Sequence, residues 1–257
     1  MNAQPMPIRS LERPAVSPAL PPFPMENLHL HPSKDSFADA ESWSNGFQAV
    51  FAEAAGRVGT VLPLRSFPSI TLVAHEHAER FRQDNGIPRW ADAFSSGKEI
   101  FICSPLPPEI LAPVLAHEIF HFEVTARSGS RPCLLDWFNE SIAYLVQGET
   151  ATDHKLVQTY LKYDSTLVLR LMLEDKFLAG NRIEIPLIKA FGRFLGNRFP
   201  YAVISDFLAR TFLSGDFHSS IVATLGINLG DLLEEWLGHL TRTDNRQYYE
   251  DPVRYVG

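Results

Sequence analysis

Two histidines and a glutamate in the stretch "LAPVLAHEIFHFEV" (residues 111–124) have the types and spacing for metal chemistry. His117 and His121 are four residues apart, so on a helix they stand one turn apart on the same face. Two imidazoles so placed can reach one metal ion at ~2.0–2.1 Å from each nitrogen. Glu118 is offset by one position round the helix, where a carboxylate reaches a metal-bound water instead of the metal. Zinc lowers the pKa of that water towards ~7, and the carboxylate takes up its proton. The order of residues divides the labour into two ligands and one general base. Without such partners, three polar side chains on an apolar helix would cost stability.

A catalytic zinc needs a third protein ligand and an open position. "DWFNESIAYLV" (136–146) supplies Glu140, a carboxylate flanked by Trp137, Phe138, Ile142 and Ala143. The spacing predicts a helix from about Leu111 to Ala126, with Pro113 in its first turn. A loop over 127–132 and a second helix over 137–148 follow. Two antiparallel helices joined by that loop bring Glu140 across from His117 and His121.

The surrounding elements follow from periodicity. Trp43, Phe47, Val50, Phe51 and Ala54 predict an amphipathic helix over 39–56, ended by Gly56 and Gly59. "SITLVA" (69–74) and "KEIFICS" (98–104) read as strands, with a short helix or turn over 75–84 between them. Helices are expected over 153–178, 186–198, 200–213, 217–225 and 230–241. The fold class is therefore α+β, a small mixed sheet in the N-terminal lobe followed by a mainly helical C-terminal lobe. Residues 1–38, rich in proline, are expected to form an extended tail. Residues 39–245 form one domain: an α/β lobe (39–110), the site helices (111–148) and a helical lobe (149–245). Residues 246–257 are a second tail.

"HEIFH" followed by Glu140 within "WFNES" resembles the gluzincin metallopeptidases, in the order and spacing of their aminopeptidase branch. The best likeness is to small peptidase MA-like domains, which carry a similar W-x-N-E-G-x-A element; Ser141 stands where glycine is usual. "KEIFICSP" is similar to the edge strand before the active-site helix, and "FGRFLGNRFPYAVISDFLA" and "TLGINLGDLLEEWLGHL" to C-terminal helices of such domains. The resemblance implies a zincin-like, thermolysin-type core in which His117, His121 and Glu140 bind one Zn2+ ion and Glu118 activates water. It implies a metallopeptidase or amide hydrolase acting on peptide or protein substrates, with strand 98–104 pairing with an extended substrate. The alternative is a non-catalytic zinc-binding relative serving structure or partner binding.

The pattern departs from the family in two places. Thermolysin-type enzymes place an aspartate four residues after the glutamate ligand to support a histidine; here that position is Tyr144. The donor that would stabilise an oxyanion has four candidates, Tyr160, Tyr163, Tyr201 and His154. "PMENL" (24–28) resembles an aminopeptidase exopeptidase element only by coincidence, 92 residues ahead of His117 and in the proline-rich tail. "HLH" (29–31) and "HEH" (75–77) read as solvated surface.

Composition narrows the classes further. The 257 residues are 45% hydrophobic and carry a formal charge of −7, which argues against a nucleic-acid partner. No stretch is long and apolar enough to span a membrane, and the first residues lack a signal-peptide core. Two cysteines, Cys103 and Cys133, are no disulfide framework and read as thiols. A cytoplasmic location is the expectation.

Overall fold

The computed structural model describes residues 22–31, 40–73, 75–87, 91–103, 106–129, 131–148, 154–177 and 185–242. It is mixed α+β, mostly helical, with one four-stranded sheet. The strands are β1 (Leu28–His31), β2 (Ser69–Val73), β3 (Ala93–Ser95) and β4 (Glu99–Ile102), in the order β1-β2-β4-β3. β1, β2 and β4 run parallel, and β3 is antiparallel to β4. Parallel neighbours need long connections, and helices α1 (Ala40–Gly59) and α2 (His75–Asp84) lie within them. β2 is buried at four of its five residues, as a strand covered on both faces should be.

Three expectations are corrected here. Of the tail expected over 1–38, the described residues 22–31 belong to the fold: a 3-10 turn at Met25–Asn27 leads into β1, which pairs with β2. Phe23 is buried against Phe47, Phe51 and Phe67, and the Gln48 side chain accepts from its N–H and donates to its carbonyl. Proline content masked a strand of only four residues. Strand 98–104 is not an edge either. Within it, β4 is paired on both sides, and the edge on that side of the sheet is β3, a three-residue strand with no expected counterpart. Finally, α1 runs through Gly56 to Gly59, because buried Ala54, Ala55 and Val58 hold that stretch against the core. A glycine's intrinsic cost of about 1 kcal/mol is small beside such burial.

α3 (Pro108–Ser128) begins three residues earlier than expected, with Pro108 in its first turn and Pro113 inside the helix. Leu111, Ala112, Leu115, Ala116, Ile119 and Phe120 are fully buried, so packing on both sides outweighs the one hydrogen bond that Pro113 removes. α4 (Asp136–Gln147) follows, then α5 (His154–Leu173), α6 (Ile185–Arg198), α7 (Tyr201–Ser214), α8 (Phe217–Leu225) and α9 (Leu229–Arg242). The core of this half is aromatic. Trp137, Phe138, Phe191, Phe207, Phe217 and Trp236 meet mostly edge to face, at centroid distances of 5.0–5.7 Å. No described helix is long and apolar enough to cross a membrane.

Candidate metal centre

The site is set by how α3 and α4 are held. α1 packs on one side of α3. The β3–β4 hairpin packs near its end, where a side chain at Gly97 (φ +80°) would collide with Thr125. α4 starts without a cap from its own sequence. Asp175, beyond α5, reaches back to accept from the Asp136 N–H at 3.0 Å, and Trp137 Nε1 donates to the Met172 carbonyl at 2.8 Å. At its other end Arg57 of α1 donates to the Gln147 carbonyl at 2.8 Å. α6 approaches α4 so closely that a Cβ on Gly192 would collide with the Ser141 carbonyl oxygen. Here the small residue sits on the facing helix, and Ser141 folds its hydroxyl back to donate to the Trp137 carbonyl. Glu140 lies between these fixed points.

His117, His121 and Glu140 converge. The two Nε2 atoms are 3.0 Å apart, His121 Nε2 is 3.2 Å from Glu140 Oε1, and His117 Nε2 is 3.4 Å from Glu140 Oε2. Ligands ~2.0–2.1 Å from a tetrahedral ion lie roughly 3.3 Å from one another. The observed spacings bracket that value, so the three side chains could hold a metal ion. Among the described residues this is the one group of His, Cys, Asp or Glu that meets such a test.

The electrostatics suit a cation. Burial works against the charged form of Glu140, but the two histidines beside it outweigh that and hold it well below the usual carboxylate range. Burial likewise opposes charging of His121, and Glu140 and Glu118 prevail, so its pKa is raised. Glu118 goes the other way. Burial pushes its carboxyl up, the adjacent histidines pull it down, Glu140 adds to the rise, and hydrogen bonding from the Ser95 backbone acts weakly against it. A carboxylate raised by burial beside imidazoles is placed to exchange a proton.

One supporting residue has no role in the sequence reading. Asn139 precedes Glu140, and its Nδ2 lies 3.2 Å from His121 Nδ1 while its own Oδ1 is buried without a hydrogen bond. With the amide turned by half a revolution, Oδ1 faces His121 and accepts from its Nδ1–H, which leaves the Nε2 lone pair for a metal. The signal was the N of "WFNES". His117 is supported differently. Its Nδ1 is buried with no hydrogen bond among the described residues, and the Tyr144 ring meets it edge-on at 4.7 Å. That is the position where an aspartate was missing.

Glu118 and His117 line an open cleft of about 310 Å3 with Tyr144, Gln147 and Lys189 on the α4–α6 wall and Ala91–Ala93 on the β3 side. The edge available for pairing with an extended substrate is therefore β3, not strand 98–104. Of the four candidate oxyanion donors, Tyr201 is packed against the core at the start of α7, outside the cleft lining, with its hydroxyl pKa raised by burial. The side chains of His154, Tyr160 and Tyr163 lie outside the described residues. His29 and His31 are exposed on β1. With "PMENL" they occupy the sheet edge opposite β3, with β2 and β4 between, so neither joins the site. Cys103 and Cys133 are free thiols, and Cys103 is buried near Glu118. No family model matches this chain, and no curated protein or solved structure is significantly similar to it.

Proposed function

We propose that the chain is a zinc-dependent metallopeptidase or amide hydrolase with a gluzincin-type centre. The observation that carries this is the convergence of His117, His121 and Glu140 at ligand spacing, with Glu118 beside them on an open cleft. Two imidazoles and one carboxylate are a donor set for catalytic zinc, which when bound supplies Lewis acidity to a carbonyl and lowers the pKa of water. The remaining chemistry belongs to the chain. Glu118 receives the proton that an attacking water loses, and returns it to the leaving amine. Its burial raises its basicity for the first of these tasks. Asn139 fixes the tautomer and tilt of His121. The β3 edge offers main-chain groups to an extended peptide beside Glu118.

The test is Glu118→Gln in protein purified without chelator. The expected result is full zinc content and loss of hydrolysis against a peptide mixture. Hydrolysis at the wild-type rate would sink the mechanism. Protein that binds zinc but cleaves nothing in either form would leave the non-catalytic reading, and absence of zinc would remove both.

A further inference from the structure

The cleft wall formed by α4 and α6 carries an ordered stack leading away from the metal centre. The His117 ring meets the Tyr144 ring edge-on at 4.7 Å, and Lys189 Nζ lies 4.8 Å from the centroid of that same ring. The negative face of the phenol ring holds the ammonium there. The two contacts keep the charge within about 10 Å of the His117 ring, the reach of about three residues of extended chain. Val114 and Ile185 line the same cleft, and the facing wall is small, with Ala91 and Ala93. Asp92, on that facing wall, is exposed and so well screened. Lys189 is half-buried on the cleft wall, where its field is screened less than in open solvent.

We propose that Lys189 is a specificity-determining residue that binds a carboxylate of the substrate, so that the cleft takes peptides bearing an acidic group within three residues of the bond at the metal centre. This rests on the cleft being the substrate site of the proposed hydrolase. Tyr144 then has two tasks: its edge packs on His117, and its face orients the lysine. A carboxylate on a side chain and one at a free C-terminus offer the same chemistry, and the experiment separates them.

The measurement is equilibrium binding, by fluorescence anisotropy, to the zinc-loaded Glu118→Gln protein, which removes turnover from the readout. The probes are labelled alanine-based nonapeptides with a single Glu at each position in turn or Gln in its place, each with a free or amidated C-terminus. At least one Glu peptide should bind ten times or more tighter than its Gln partner, or the free-acid form ten times tighter than its amide. The first outcome assigns a side-chain carboxylate and the second a C-terminal one. Lys189→Met should erase the difference and Lys189→Arg should keep most of it. Equal binding of acidic and neutral peptides, no binding at all, or a preference that survives Lys189→Met overturns the proposal. Parallel assays of the wild-type protein separate the two ideas. A carboxylate preference in binding with no cleavage leaves the lysine site and removes the hydrolase, and cleavage without the preference does the reverse.

Discussion

α3 carries two inward-facing acids five residues apart, and their surroundings are opposite in kind. Glu123 is 0% exposed and fully engaged. It accepts from the Arg65 N–H at 2.9 Å and the Ser66 N–H at 3.4 Å, and pairs with Arg127, whose guanidinium also donates to the Pro63 carbonyl. Glu118 lies on the open cleft beside three ionisable neighbours, and burial raises its pKa. Near it, His117 Nδ1 is buried without a hydrogen bond among the described residues. The same side chain on the same helix is in one place an anchor for a loop and in the other a group facing an open cleft. A saturated polar cluster stabilises; an unsaturated one stores the capacity to bind something else.

The largest contrast should come from Glu118→Gln, which is expected to reduce turnover by about 10³-fold or more while leaving the melting temperature unchanged or higher. A drop of several degrees instead would put Glu118 in the same class as Glu123. Next is Glu123→Ala. It strands the buried Arg127 charge and two loop N–H groups, and should cost about 3–5 kcal/mol in denaturant unfolding. A cost below about 1 kcal/mol would erase the distinction between the two acids. Asn139→Ala is expected to weaken zinc binding by about 10–100-fold in a chelator competition, with little change in the metal-free melting temperature.

The smallest effect is the pH dependence of the metal-free protein. His121 has a folded pKa above its ordinary ~6.5, so its contribution is complete below that pH and is lost as pH rises through the folded value. Glu118, also raised, loses stability in the same direction from its ordinary value of 4.5 upward. Glu140 is lowered, so its contribution holds above 4.5 and is lost only as pH falls below that. Thermal melts in chelator should therefore fall as pH is raised from about 6.5 to 8.5, by a few degrees. Zinc should reverse the trend, because it replaces the proton on His121. A flat profile in chelator would remove the electrostatic coupling inferred for this cluster.

What could be read from the sequence is whatever depends on local spacing. The i, i+4 histidines and Glu140 on the next helix follow from 3.6-residue periodicity, and most helix limits agree within a few residues. What could not be read depends on partners far along the chain. Glu123 is explained by contacts 57 and 58 residues away. The start of α4 depends on Asp175, 39 residues on. β1 and β3 have four and three residues, too few for an alternating pattern to stand out from proline- and serine-rich surroundings. The cleft wall escaped for the same reason, since Tyr144 and Lys189 meet only when α6 packs on α4.

The clasp between Gln48 and Phe23 has a practical consequence for anyone trimming this protein. A shortened chain beginning at residue 39, where periodic sequence starts, would lose β1 and with it the cover on one edge of β2. It would also empty the socket between Phe47, Phe51 and Phe67, at a cost of about 2–3 kcal/mol for the missing phenyl ring alone. The exposed apolar strand would be a template for pairing with other molecules. A chain begun at Pro22 instead keeps Phe23 in its socket and β1 on the edge of β2, so that edge stays covered.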